Sequence, residues 1–236
     1  MLTRNENFQP FYLYPVVSMI CFIQVFIWFL LQIPHPFFTL LFAFLSGYNA
    51  GIQAGEWWRL LTPIFLHTNF SHLFFNTISF ILFAPPLERI LTSWKFTIVY
   101  FVCGIFANIA TFVLEPENYV HVGASGAIFG LFGIYVFMAL YRKEQMDKRN
   151  VQLILTIIAI GIITTLFSSN TNVVAHLSGL LIGFLIAPIL IKKKVHFHHY
   201  SFYETPQKGL KTIFYRKEFL GFFIVILALI VLLILF

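Results

Sequence analysis

Seven stretches of this chain are apolar over a length that can cross a hydrocarbon core, and that repetition constrains the fold more than any other feature. A helical span needs about 20 predominantly apolar residues to bridge roughly 30 Å. Such runs lie near residues 11–32, 71–87, 96–114, 122–141, 151–167, 173–191 and 219–236. Lipid offers no partner to a backbone donor or acceptor, so runs of this kind must fold as helices. Composition agrees: of 236 residues, 59% are hydrophobic and 10% charged, too little polar surface to coat a water-soluble globule. The fold expected is all-α, a polytopic membrane helix bundle. It comprises a six-helix core over residues 1–191, a basic linker over 192–218 and one additional C-terminal transmembrane helix over 219–236.

The charges orient the bundle. Cytoplasmic loops collect Lys and Arg. With the N-terminus inside, the inner segments hold Arg4, then Arg89 and Lys95, then Arg142, Lys143, Lys148 and Arg149, then the seven basic residues of the linker. Those are 14 of the 15 basic residues, with Arg59 alone outside. The C-terminus then ends outside, and the expected location is the plasma membrane. The formal net charge of +6 is accounted for by anionic inner-leaflet lipids and needs no nucleic-acid partner. The first run is too long for a signal-peptide core and reads as a signal anchor. Cys21 and Cys103 fall inside spans, where cysteine packs as a small apolar residue, and no disulfide is expected.

One connection is unlike the rest. Residues 33–70 are long, aromatic and punctuated by Pro34, Pro36, Gly47, Gly51, Gly55 and Pro63. With Trp57 and Trp58 among several Phe residues, the segment suits the membrane interface and reads as a loop with short helices in the outer leaflet. Thr68, Asn69 and Ser71 then offer capping side chains that start the second span.

Strongly polar side chains inside spans cost about 2.5 to 3.5 kcal/mol when charged, so each calls for a reason. Four stand out: His72, Asn76, Ser125 and His176. His72 and Asn76 are i and i+4 on one face of the second span. Ser125 lies in Gly123-Ala124-Ser125-Gly126, and His176 in Ala175-His176-Leu177-Ser178-Gly179. At about 1.5 Å per residue all four converge within roughly two turns of the outer boundary. Asp147 is the only aspartate and belongs to an inner loop, so a Ser–His dyad is expected rather than a triad. His176 would act as general base and acid for Ser125. Backbone near Gly123 to Ser125 would stabilise the oxyanion, together with the His72 and Asn76 side chains. Each residue also has a packing interpretation. Gly123 to Gly126, continuing to Gly130 and Gly133, and the row Ala175, Gly179, Gly183 are what closely approaching helices look like. A solute transporter would spread polar residues through the full depth of the bundle, whereas these gather near one side. Metal binding by His67, His72 and His121 has no helical spacing behind it. Neither a metal nor another cofactor is expected.

These residues resemble the rhomboid family of intramembrane serine proteases. Gly123 to Gly126 resembles its Gly-x-Ser-Gly motif, and Ala175 to Gly179 its Ala-His-x-x-Gly motif. His67, His72 and Asn76 match its His-x4-His-x3-Asn pattern. Trp58-Arg59 and Glu88-Arg89 resemble its Trp-Arg and Glu-Arg pairs. The resemblance spans residues 55–183. It implies a six-helix core, here in the bacterial-type six-plus-one arrangement, and a Ser–His dyad. It also implies single-span or polytopic membrane-protein substrates cut near the outer face. Phe129 stands where an aromatic residue, often Tyr, stacks on the histidine, and Ser178 where a second Gly is frequent. The alternative from a different class is a non-catalytic rhomboid-like chaperone gripping membrane-protein clients. Its hallmark is loss of the nucleophile or base, and both are present.

Overall fold

A computed structural model describes residues 13–142, 145–146, 148–167 and 171–191. The linker and the seventh apolar run, residues 192–236, lie outside the described residues, as does the N-terminal Arg4.

Six of the seven apolar runs are helices: α1 (Pro15–Leu31), α4 (Phe70–Leu91), α5 (Ser93–Leu114), α6 (Ser125–Tyr141), α7 (Lys148–Phe167) and α8 (Val173–Leu190). Residues 33–70 add α2 (Pro36–Leu45), α3 (Asn49–Gln53) and two 3-10 turns, Trp57–Leu60 and Thr62–Phe65. Three of the helices, α4, α5 and α8, have both the length and the hydropathy to cross a membrane. α1 and α6 are apolar helices of 17 residues, about 26 Å long. The all-α membrane bundle expected from the sequence is the architecture observed.

α6 is the central helix. It is apolar all round, and nearly every residue from Gly126 to Ala139 is buried, as such a helix must be in a protein interior. It packs most extensively on α8 and next on α5. Glycine makes the first of these contacts close. A Cβ on Gly179 or Gly183 would run into the backbone of Gly126 or Gly130 respectively, and one on Gly133 would stand 2.6 Å from the Phe184 nitrogen. The small-residue rows in the sequence therefore mark helices in backbone-to-backbone contact.

The helix ends show how polar groups are satisfied. α1 starts with Pro15 at its first position, where the missing N–H is no loss. The next two amides, Val16 and Val17, donate to the Glu88 carboxylate at 3.1 and 3.0 Å. Ser93 Oγ donates to the same carboxylate at 2.7 Å. Glu88, 3% exposed, thus caps a helix 71 residues away and ties α1 to the α4–α5 turn. α4 starts at Asn69, whose side chain accepts the His72 amide at 2.8 Å, as the capping residues suggest. It runs past residue 87 to Leu91 despite Pro85 and Pro86. α5 likewise starts three residues earlier than expected, at Ser93, straight after the positive-φ residue Thr92.

Residues 33–70 carry short helices, as expected, and side-chain bonds knit them into a unit. Arg59, the lone basic residue of this segment, is 7% exposed. It donates through Nη1 to the carbonyls of Ala43 and Ser46, both at 2.7 Å, and pairs with the Glu56 carboxylate. The rings of Phe44, Tyr48 and Trp58 lie about 6 Å from its guanidinium carbon, a cation–π setting. The unit is fastened to the bundle by a short antiparallel ladder in an otherwise helical fold, with Gly47 opposite His121 and Tyr48 opposite Val120. Asn49 adds its amide nitrogen, whose two hydrogens are shared among the carbonyls of Thr111, Glu115 and Pro116 at 3.0 to 3.3 Å.

Candidate active site at the heads of α6 and α8

Ser125 is the first residue of α6, not a turn inside it, because the sequence run beginning at 122 is not helical at its start. Gly123 has φ +132°, a region that L side chains rarely adopt. Its amide donates to Pro63 O at 2.9 Å. The Gly123 N–H is thereby committed, so the amides left to face a reacting group are those of the first turn of α6, which lack intrahelical partners. The glycine is also required for space. A Cβ there would stand 2.8 Å from His72 Nε2 and 3.7 Å from Ser125 Oγ, so the imidazole and the hydroxyl flank a single point on the Gly123 backbone.

His72 and Asn76 reach this point from α4. Thr68 Oγ1 lies 3.3 Å from His72 Nδ1, which leaves Nε2 facing Gly123. Asn76 donates one amide hydrogen to His72 O at 2.9 Å and keeps a second. His67, which precedes α4, is 2% exposed, and its ring meets that of His72 edge-on with centroids 5.0 Å apart. Burial first, and the neighbouring His72 second, hold the His67 imidazole far below its ordinary range, at about 3. Burial alone brings His121 to about 4. Both rings are therefore neutral near pH 7. Among the described residues no three metal-ligating side chains converge as a metal site.

His176 is the fourth residue of α8, at the depth the sequence implies. Asn172 caps the helix by accepting the Ala175 amide at 2.8 Å, and it donates to Thr111 Oγ1 at 3.0 Å. The His176 ring lies flat on Phe129, one turn below Ser125 on α6, with centroids 4.1 Å apart and planes at 15°. Its Nδ1 is 2.8 Å from Thr165 Oγ1 on α7. At the same level Gly126 faces Ala175, whose carbonyl oxygen and Cβ would lie 3.5 and 3.6 Å from a Cβ on the glycine. The heads of α6 and α8 are thus in direct contact, and Ser125 and His176 share one level. Among the described residues no hydrogen bond joins them. A cavity of about 170 Å³ opens beside the group, between Phe42, Thr68, His72, Tyr119, His121 and Asn172.

The sequence reasoning singled out Ser125, His176, His72, Asn76 and Gly123, and all five lie in this cluster. It missed Thr165 and Asn172. Asn172 carried a signal, a capping side chain just before an apolar run. Thr165 carried little, being one of two adjacent threonines near the end of an apolar helix.

Comparison with known proteins gives the family. The rhomboid domain matches residues 54–193, which include every residue of this site except Phe42. The chain is 48% identical over 195 residues to "Putative rhomboid protease YdcA" of Bacillus subtilis, across 82% of this chain and 98% of that protein. It is 36% identical over 187 residues to rhomboid protease GluP of the same organism, covering 78% of this chain and 36% of GluP. Rhomboid-like protease 1 of Toxoplasma gondii is 35% identical over 162 residues, covering 67% of this chain and 55% of that protein. With its apolar helix bundle and this degree of identity along most of its length, the chain belongs to the rhomboid family and is a serine-type intramembrane endopeptidase.

Proposed function

We propose that the protein cleaves other membrane proteins in or beside a transmembrane segment, close to the outer face, with Ser125 as nucleophile and His176 as general base and acid. The distribution of basic residues supports a cytoplasmic N-terminus, which puts the Ser125 end of the bundle in the outer leaflet. Lipids and single-span or polytopic membrane proteins are then the molecules that meet the site.

The observation that carries this reading is the stacking of His176 on Phe129, one turn from Ser125, where α6 and α8 touch backbone to backbone. Ser125 Oγ attacks the scissile carbonyl carbon and gives its proton to His176 Nε2, the nitrogen that Thr165 leaves open. The oxyanion is received by the first-turn amides of α6, aided by the positive helix end, with His72 Nε2 and the second amide hydrogen of Asn76 as further donors. His176 then passes the proton to the leaving amine. Water hydrolyses the acyl-enzyme by the same route in reverse. The Ser–His hydrogen bond forms when substrate fills the site, as catalytic hydrogen bonds commonly tighten in the Michaelis complex.

The test is covalent labelling. A fluorophosphonate probe should modify Ser125 in the wild-type protein, and Ser125→Ala should lose both labelling and cleavage of a single-span substrate while keeping the thermal stability of the bundle. Cleavage retained by Ser125→Ala refutes the assignment.

A further inference from the structure

A helix that bears neither member of the proposed dyad, α7, provides a polar contact to His176. α7 turns one narrow face to the bundle, along Ile154, Ile158, Gly161 and Thr165, the i, i+4, i+7, i+11 spacing of a single helical stripe. The two isoleucines are 5% and 3% exposed, and Thr165 is 2% exposed. Thr165 is the polar member of that stripe, at the level of His176. Its neighbours Thr164 and Leu166 face outward.

The Thr165 hydroxyl has two partners, and their chemistry fixes which way each bond runs. Oγ1 lies 2.7 Å from Gly161 O, one turn back in its own helix, a common arrangement for threonine in helices. For both contacts to be hydrogen bonds at once, the single hydroxyl proton must go to Gly161, because a carbonyl oxygen only accepts. What remains toward His176 Nδ1, 2.8 Å away, is a lone pair. That contact is a hydrogen bond only if Nδ1 carries the hydrogen. A neutral imidazole has one N–H, so Nε2 is left as the basic nitrogen.

We propose that Thr165 is a positioning residue of the protease: by accepting the Nδ1 hydrogen of His176 it holds the imidazole in the tautomer whose Nε2 can take the Ser125 proton. This rests on the dyad reading above. The ring is then constrained twice. Phe129 fixes its plane, and Thr165 fixes its rotation within that plane. Phe129 also reaches α7, its Cζ lying 3.5 Å from where a Gly161 Cβ would stand, so the stacking ring and the acceptor belong to one packed cluster. A hydroxyl suits the place physically. A carboxylate buried among apolar helices would carry a large desolvation cost, and the chain's one aspartate, Asp147, precedes the opposite end of α7. The neutral acceptor orients the base with no buried charge.

The experiment uses the full-length protein reconstituted in liposomes with a fluorogenic single-span substrate. Thr165→Val keeps the shape and removes the acceptor, whereas Thr165→Ser restores it. One neutral hydrogen bond predicts a fall in kcat of about tenfold for Thr165→Val, with KM unchanged, and recovery close to wild type for Thr165→Ser. Nitrogen-15 spectra of labelled histidine, with the His176 signal identified by its loss in His176→Ala, should show a protonated Nδ1 in the wild type and in Thr165→Ser, and a shift toward protonated Nε2 in Thr165→Val. If Thr165→Val does not insert stably, Thr165→Ala is read in the same way. Wild-type kcat without the hydroxyl, or an unchanged tautomer, overturns the proposal and leaves the dyad standing. Cleavage that survives Ser125→Ala or His176→Ala removes the dyad, and this inference with it.

Discussion

The contact between α6 and α8 can be opened by one methyl group. A Cβ on Gly183 would stand 2.6 Å from the carbonyl carbon of Gly130 and 2.9 Å from its Cα, with the carbonyl oxygen closer still. Carbon atoms in ordinary contact are about 3.5 to 4.0 Å apart. Every obstructing atom is backbone, so no rotamer relieves the clash, and Gly183→Ala must push the helices apart by roughly 1 Å. Overpacking of this kind costs about 1 to 3 kcal/mol. The better helix propensity of alanine returns up to about 1 kcal/mol. With the full return the net loss is up to about 2 kcal/mol, small enough for the bundle to survive. Activity should suffer more, because displacing a catalytic group by 1 Å can cost about 100-fold, and His176, the proposed general base, sits two turns along the same helix. Gly161→Ala is the control: the nearest atom to its Cβ is Phe129 Cζ at 3.5 Å, an ordinary contact, so stability should hold or rise by up to about 1 kcal/mol. Denaturation midpoints in detergent and cleavage rates in liposomes, measured on both variants, decide the matter. Gly183→Ala with wild-type stability and turnover, or Gly161→Ala as damaging as Gly183→Ala, would refute the reasoning.

Two further outcomes follow from the structure. Glu88→Ala strands the Val16 and Val17 amides and the Ser93 hydroxyl, and at about 1.5 to 3 kcal/mol for a hydrogen bond to a charged group it should destabilise the bundle by at least about 2 kcal/mol, read from the same denaturation midpoints, while Glu88→Gln recovers part of the loss. His67 and His121 are held neutral down to about 3 and about 4, whereas the unfolded chain protonates them near 6.5. Their contribution to stability is therefore intact above pH 6.5 and declines as pH falls toward 4, by up to about 1.4 kcal/mol per pH unit for each ring. A His67→Phe variant whose midpoint has the same pH dependence as wild type would contradict the share assigned to His67.

Hydrophobic periodicity and the cost of polar atoms in lipid made the helices and four of the site residues legible, since Ser125, His176, His72 and Asn76 are the kind of side chain that a span carries only for a reason. The small-residue rows also announced where backbones meet. What stayed hidden was non-local. α6 begins at Ser125 because Gly123 turns to donate to Pro63, 60 residues earlier, and no window around residue 123 contains that bond. Arg59 reads as a stray charge until the carbonyls of Ala43 and Ser46 are brought round it. Glu88 carries a family resemblance in sequence, but its work is done on amides more than 70 positions away. Thr165 is the hardest case, because a threonine bonded to its own helix carbonyl is satisfied locally and gives no sign of needing anything else. Its remaining lone pair becomes useful only when α8 presents an imidazole to it. In an apolar interior an unmet polar group is costly, so the sequence of a membrane bundle tells how many such bonds must close. Which groups close them depends on the helix ends that the packing of small residues brings together.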